Sequence, residues 1–90
     1  MLDEQFRREH ARAAIRAGKL PSRSPERSWG GPGIGENCPV CDTKIDSDEL
    51  EFEIEFSGDG ASPGSTIFHL HVGCFTAWQF ERTRRAWDGR

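Results

Sequence analysis

Four residues in two short pairs constrain this chain more than any other feature. They are Cys38-Pro39-Val40-Cys41 and His71-Val72-Gly73-Cys74. Cys41 and His71 are separated by 29 residues, and the two pairs use all three cysteines of the chain. Tetrahedral zinc takes four soft or borderline donors. The first pair can lie on a tight turn whose amides face the sulfurs. The second, at i and i+3, projects from one face of a helix. The spacing predicts one structural Zn²⁺ held by Cys38, Cys41, His71 and Cys74. His69 competes with His71, because strand residues two apart share a side. His71 fits better as the ligand, since it pairs with Cys74 across one helical turn. His69 is then an alternative ligand or a hydrogen-bonding neighbour behind the metal.

Two other uses of the cysteine pair fit less well. A redox Cys-x-x-Cys follows a strand and opens a helix. Here the pair follows a Gly-rich loop and precedes acidic, turn-rich sequence. An iron–sulfur site prefers four thiolates. An odd cysteine count argues against a closed disulfide framework. The first twenty residues hold no apolar stretch of the secretory kind, so a reducing, cytoplasmic setting is expected.

Composition makes a metal staple reasonable. Hydrophobic residues are 34% of 90, against roughly 45–50% apolar in ordinary globular chains. A core this thin usually needs reinforcement. No apolar run approaches the ~20 residues of a membrane span. The net charge of -3 conceals three blocks: +3 over residues 1–35, -8 over 36–60 and +2 over 61–90.

The Ala-, Arg- and Glu-rich stretch 3–17 reads as a helix. Gly18 suits its C-terminal stop, and Pro21 prevents continuation. Its apolar stripe is Leu2, Phe6, His10, Ala13 and Ala17. Residues 21–37 read as Gly/Pro-rich loop, with Trp29 and Ile34 as anchors pinning it to a core. Leu50 to Phe56 alternates strictly and predicts a half-buried strand with a solvated face of Glu51, Glu53 and Glu55. Residues 57–65 make a connection, 66–70 a second strand, and His71 to Trp87 a helix. The organisation expected is an N-terminal helix and wrapping loop over 1–35, then a zinc-binding domain over 36–90.

The order of Cys-Pro-x-Cys knuckle, β-hairpin and ligand-bearing helix resembles the treble-clef zinc-finger superfamily. The residues that carry it are Cys38, Pro39, Cys41, the hairpin 50–70, His71 and Cys74, and it covers about residues 36–85. Leu20-Pro21, Trp29-Gly30-Gly31, the pair Cys38 and Cys41, and His71-Val-Gly-Cys74 followed by Trp78 also look like small uncharacterised bacterial zinc-finger proteins. The resemblance implies an α+β treble clef with an added N-terminal α-helix. It does not decide function, because treble clefs serve several.

Catalysis is not expected. The hairpin loop 57–65 holds no Asn or His, and the Gly-rich stretch 30–35 follows no predicted strand and carries no Lys. A structural zinc leaves no open position. The leading expectation is a non-catalytic interaction or regulatory module that binds protein. Trp29, Phe80 and Trp87 are its candidate contacts. The last helix carries apolar groups on two sides, and its second side needs a cover. The N-terminal segment, through Phe6, Leu20 and Trp29, is the first candidate for that cover. The alternative is nucleic-acid binding through Arg8, Arg12, Arg16, Lys19, Arg82 and Arg85. Against it, these cations also suit helix-surface pairs, and the acidic strand repels phosphate. Nothing in the sequence sets an oligomeric state.

Overall fold

A computed structural model describes residues 3–58 and 64–88, and of residues 85–88 the backbone alone. The elements are α1 (Glu4–Arg16), β1 (Arg27–Pro32), β2 (Leu50–Ser57), β3 (Ser65–His71) and α2 (Val72–Asp88). The architecture is small α+β: a three-stranded antiparallel sheet in the order β1-β2-β3, with two helices.

α1 starts and stops where its capping chemistry dictates. The Asp3 carboxylate accepts a hydrogen bond from the Phe6 amide at 2.8 Å. That satisfies one of the donors the first turn leaves open. At the other end Gly18 takes φ +81°. The Lys19 amide then donates to Ala14 O and the Gly18 amide to Ile15 O, the paired closure that a left-handed glycine permits.

The buried face of α1 is Ala11, Ala14 and Ile15, not the expected Phe6–Ala13–Ala17 stripe. Phe6 is 37% exposed. Alanines let two helix backbones approach closely, and long Arg stems cover the rest. α1 thus packs on α2, with the Arg8 guanidinium over a Phe80 ring that stays 43% exposed. Leu2 lies outside the described residues.

The middle strand β2 behaves as its alternation requires. Ile54 and Phe56 are buried, and Phe52 stacks on Phe75 of α2 with ring centroids 4.3 Å apart. Trp78, fully buried, meets Phe56 edge-on. Its indole N–H donates to Pro21 O at 2.9 Å, tying the chain after α1 to α2. Buried residues from either side of residue 35 form one core.

Three expectations need correction. Residues 27–32 are an edge strand, not loop: Arg27 pairs with Glu55, Trp29 with Glu53 and Pro32 with Leu50. Gly and Pro weaken a central strand but are tolerated on an edge, where one row of backbone groups needs no partner. Trp29 and Ile34 are not core anchors, being 40% and 65% exposed. The segment is held by its backbone ladder, by Glu26 N–H to Glu55 O, and by Ser57 N–H to the Glu26 carboxylate. Nor is the acidic face of β2 simply solvated. Glu51 is 1% exposed, and Glu55 is paired with Arg27 at 2.8 Å. The alternation foretold which residues share a face; the added strand β1 changed what that face meets.

The connection between β1 and β2 carries the cysteine knuckle and closes tightly on itself. A Cβ at Gly33 would lie 2.3 Å from Asp46 O and 2.9 Å from Ile45 O. Only glycine fits against that backbone.

Candidate metal centre

The knuckle is built by local hydrogen bonds. The Cys38 amide donates to Thr43 O and the Asp42 amide to Cys38 O, with Asp42 at φ +61°. An isolated bridge joins Asn37 and Lys44. This reversal turns the Cys38 and Cys41 sulfurs the same way. The second pair comes from a junction with no loop. His71 is the last residue of β3, and Cys74 lies in the first turn of α2. The expected helical i, i+3 clip is therefore a strand end and a helix start.

The four donor atoms of Cys38, Cys41, His71 and Cys74 lie within 4.8 Å of one another. Zn–S bonds of about 2.3 Å imply donor separations of about 3.8 Å in a tetrahedron. The cluster is thus near the size that a zinc ion draws together. Cys38 and Cys74 are 0% and 1% exposed. His71 Nδ1 is 3.4 Å from Cys41 Sγ, so that nitrogen faces the sulfurs. The Thr43 hydroxyl lies 3.0 Å from Cys41 Sγ.

The electrostatics favour a cation here. A hydrogen bond with Cys74 holds the Cys38 thiol down at about 4, with the Cys41 amide assisting against burial. The same hydrogen bond, burial and the neighbouring sulfurs push Cys74 far up. Sulfurs packed this closely ionise together only around a positive charge. Three cysteines and one histidine form a donor set suited to zinc, and a complete one.

His71 Nε2 lies 3.5 Å from Glu49 Oε1. A carboxylate behind a ligand imidazole orients the ring and raises its basicity. Glu49 was not singled out in the sequence, where it reads as one of several surface acids. The available signal was its position two residues before Glu51, whose cross-strand partner is His71. His69 is not among the four clustered donors. Its Nδ1 lies 3.0 Å from Glu51 Oε2.

The other candidate residues are dispersed. Arg8 pairs with Glu4 at 2.6 Å and lies over the Phe80 ring at 4.0 Å. Arg12 Nε donates to the buried Glu81 carboxylate at 3.0 Å, and that bond and charge raise its pKa further. Lys19 pairs with Asp42. Arg82 bonds Gln79 and lies 5.0 Å over Trp78, and burial lowers its pKa. Arg16 is exposed in the last turn of α1. Phe80 is 43% exposed. The side chains of Arg85 and Trp87 lie outside the described residues.

Beside the metal ligands opens a cleft of about 560 Å³, lined by Arg7, Thr43, Glu49, Leu50 and Val72 together with Cys41, His71 and Cys74. Leu50 and Val72 are 66% and 38% exposed there. No described helix is long and apolar enough to cross a membrane. Comparison with protein-family models, curated proteins and solved structures finds no match.

Proposed function

We propose that this chain is a treble-clef zinc finger that acts as a non-catalytic interaction or regulatory module in the cytoplasm. One structural zinc is held by Cys38, Cys41, His71 and Cys74. The observation that carries the reading is the closed donor set, four atoms within 4.8 Å with two of the sulfurs buried. A filled tetrahedron has no position for substrate, so its role is to hold shape. The succession of knuckle, hairpin and helix supports the treble-clef assignment.

Protein is the favoured partner. Leu50 and Val72 are exposed apolar side chains beside the zinc ligands, where a fixed scaffold presents them. The nucleic-acid alternative is weakened by pairing. Arg8, Arg12 and Lys19 are engaged with Glu4, Glu81 and Asp42, so phosphate must compete with the protein's own acids.

Native mass spectrometry tests the metal: one zinc per chain is expected. Two assays test the partner class. Weak, salt-insensitive retention on mixed DNA is expected, whereas a steep salt dependence favours phosphate contacts. Affinity capture from a cell extract should recover a protein with the unaltered chain and lose it with Leu50→Asp. Capture that ignores Leu50→Asp removes this surface from the reading.

A further inference from the structure

Glu51 is an anomaly for a central strand. Its side chain is 1% exposed. Oε2 lies 3.0 Å from His69 Nδ1, while the buried Oε1 has no hydrogen-bond partner among the described residues. A buried carboxylate oxygen without a partner keeps its desolvation cost unrecovered. Glu53, next but one on the same face, is the cross-strand partner of His69. One donor atom from each of Glu51, Glu53 and His69 falls within 4.8 Å of the other two.

None of these residues belongs to the cysteine cluster. The face they occupy is opposite the one on which Phe52 meets α2. Two carboxylates and an imidazole, with no thiolate, suit a first-row divalent ion that accepts oxygen and nitrogen. The two negative charges balance the ion's charge, and a cation beside the buried Glu51 carboxylate offsets its desolvation.

We infer that Glu51, Glu53 and His69 form a second metal site, for a divalent transition-metal ion, on the face of the sheet away from α2. Three protein donors leave room for water in the remaining positions. Trp29, the cross-strand partner of Glu53, borders the site from β1. This site is independent of the zinc-finger reading, because the two clusters share no ligand.

The test uses the full chain with its cysteine site loaded with zinc, and Mn²⁺ as the probe. Manganese binds N/O sites more weakly than zinc and has no preference for thiolates, so it leaves the first site intact. Titration is followed by loss of the free-ion electron paramagnetic resonance signal. Uptake of one Mn²⁺ per chain is expected. Removing a carboxylate that only supports a ligand costs about 10–100-fold, so Glu53→Gln should weaken binding at least tenfold. Zinc content should not change. His69→Ala should act likewise. If that variant does not fold, the near-isosteric and partly exposed Glu53→Gln decides alone. An undiminished free-manganese signal in the unaltered chain overturns the inference. So does uptake that Glu53→Gln leaves unchanged. Zinc content measured on the same samples reports the first site separately.

Discussion

Glu49 Oε1 stands 3.5 Å from His71 Nε2, while Nδ1 of the same ring faces Cys41 Sγ at 3.4 Å. The imidazole is held between a carboxylate and the sulfur cluster. Glu49→Gln keeps the shape and removes the charge. Zinc affinity should fall about tenfold, the low end of the range for such partners, because Glu49 is 44% exposed. Competition against a chromogenic chelator measures it. Unchanged affinity would leave Glu49 with no part in the centre.

Cys74→Ala removes a buried ligand from the helix start. Structural zinc sites contribute about 10–16 kcal/mol to small metal-binding folds, which exceeds the usual stability of a domain. The variant, and the unaltered chain under strong chelation, should lose cooperative unfolding. Near-ultraviolet circular dichroism and amide dispersion report it. Persistence of both signals in zinc-free protein would show that the apolar core suffices.

Gly33→Ala sets a Cβ 2.3 Å from Asp46 O. Backbone must move, at a cost of at least about 1–3 kcal/mol. Gly31→Ala, two residues earlier, meets nothing within 4 Å among the described residues and should change stability by less than about 0.5 kcal/mol. Denaturant midpoints of the two variants compare them directly. Equal midpoints contradict the tight closure of the knuckle.

Trp78 fills the space between α2, Phe56 and the chain after α1. Trp78→Ala should cost about 3–5 kcal/mol. Trp78→Phe retains most of the ring and loses the bond to Pro21 O; that bond alone is worth about 0.5–1.5 kcal/mol. Hydrogen exchange in α1 should accelerate in both variants. Protection that stays unchanged would mean that the indole does not hold the N-terminal segment.

Arg12→Met takes the nearer cation from the Glu81 carboxylate, which keeps Arg84 Nη1 at 3.9 Å. A buried charge deprived of its partner is costly, so the melting temperature should drop. Glu81→Gln in the same background should restore part of the loss, because the amide carries no charge. A double-mutant cycle measures the coupling. Additive effects would show that the two residues do not act as a pair.

Much of this arrangement was legible in the sequence because it depends on short-range regularity. Cys38, Cys41, His71 and Cys74 carry their spacing openly. Leu50 to Phe56 declares a strand by alternation, and Gly18 and Pro21 announce the end of α1. What stayed hidden depends on partners distant in the chain. The edge strand Arg27–Pro32 has no apolar alternation of its own, and it exists because β2 offers it a ladder. Glu51 looked like a solvated acid because periodicity assigns a face without saying what covers it. The inward side of α1 went to Ala11, Ala14 and Ile15, since backbone approach to α2 outweighed the burial of Phe6.

The position of β1 bears on how this unit can be moved between proteins. Its strand precedes the cysteine knuckle, pairs with β2 behind it, and places Trp29 and Gly31 beside Glu53 and Glu51. A graft cut to begin just ahead of Cys38 would keep every thiol and lose one border of the sheet. The transferable piece therefore extends upstream past residue 27, and inclusion of α1 brings the helix that packs on α2. Fusions and minimal fragments of this chain are best cut by strand pairing, because the ligands alone mark too short a piece.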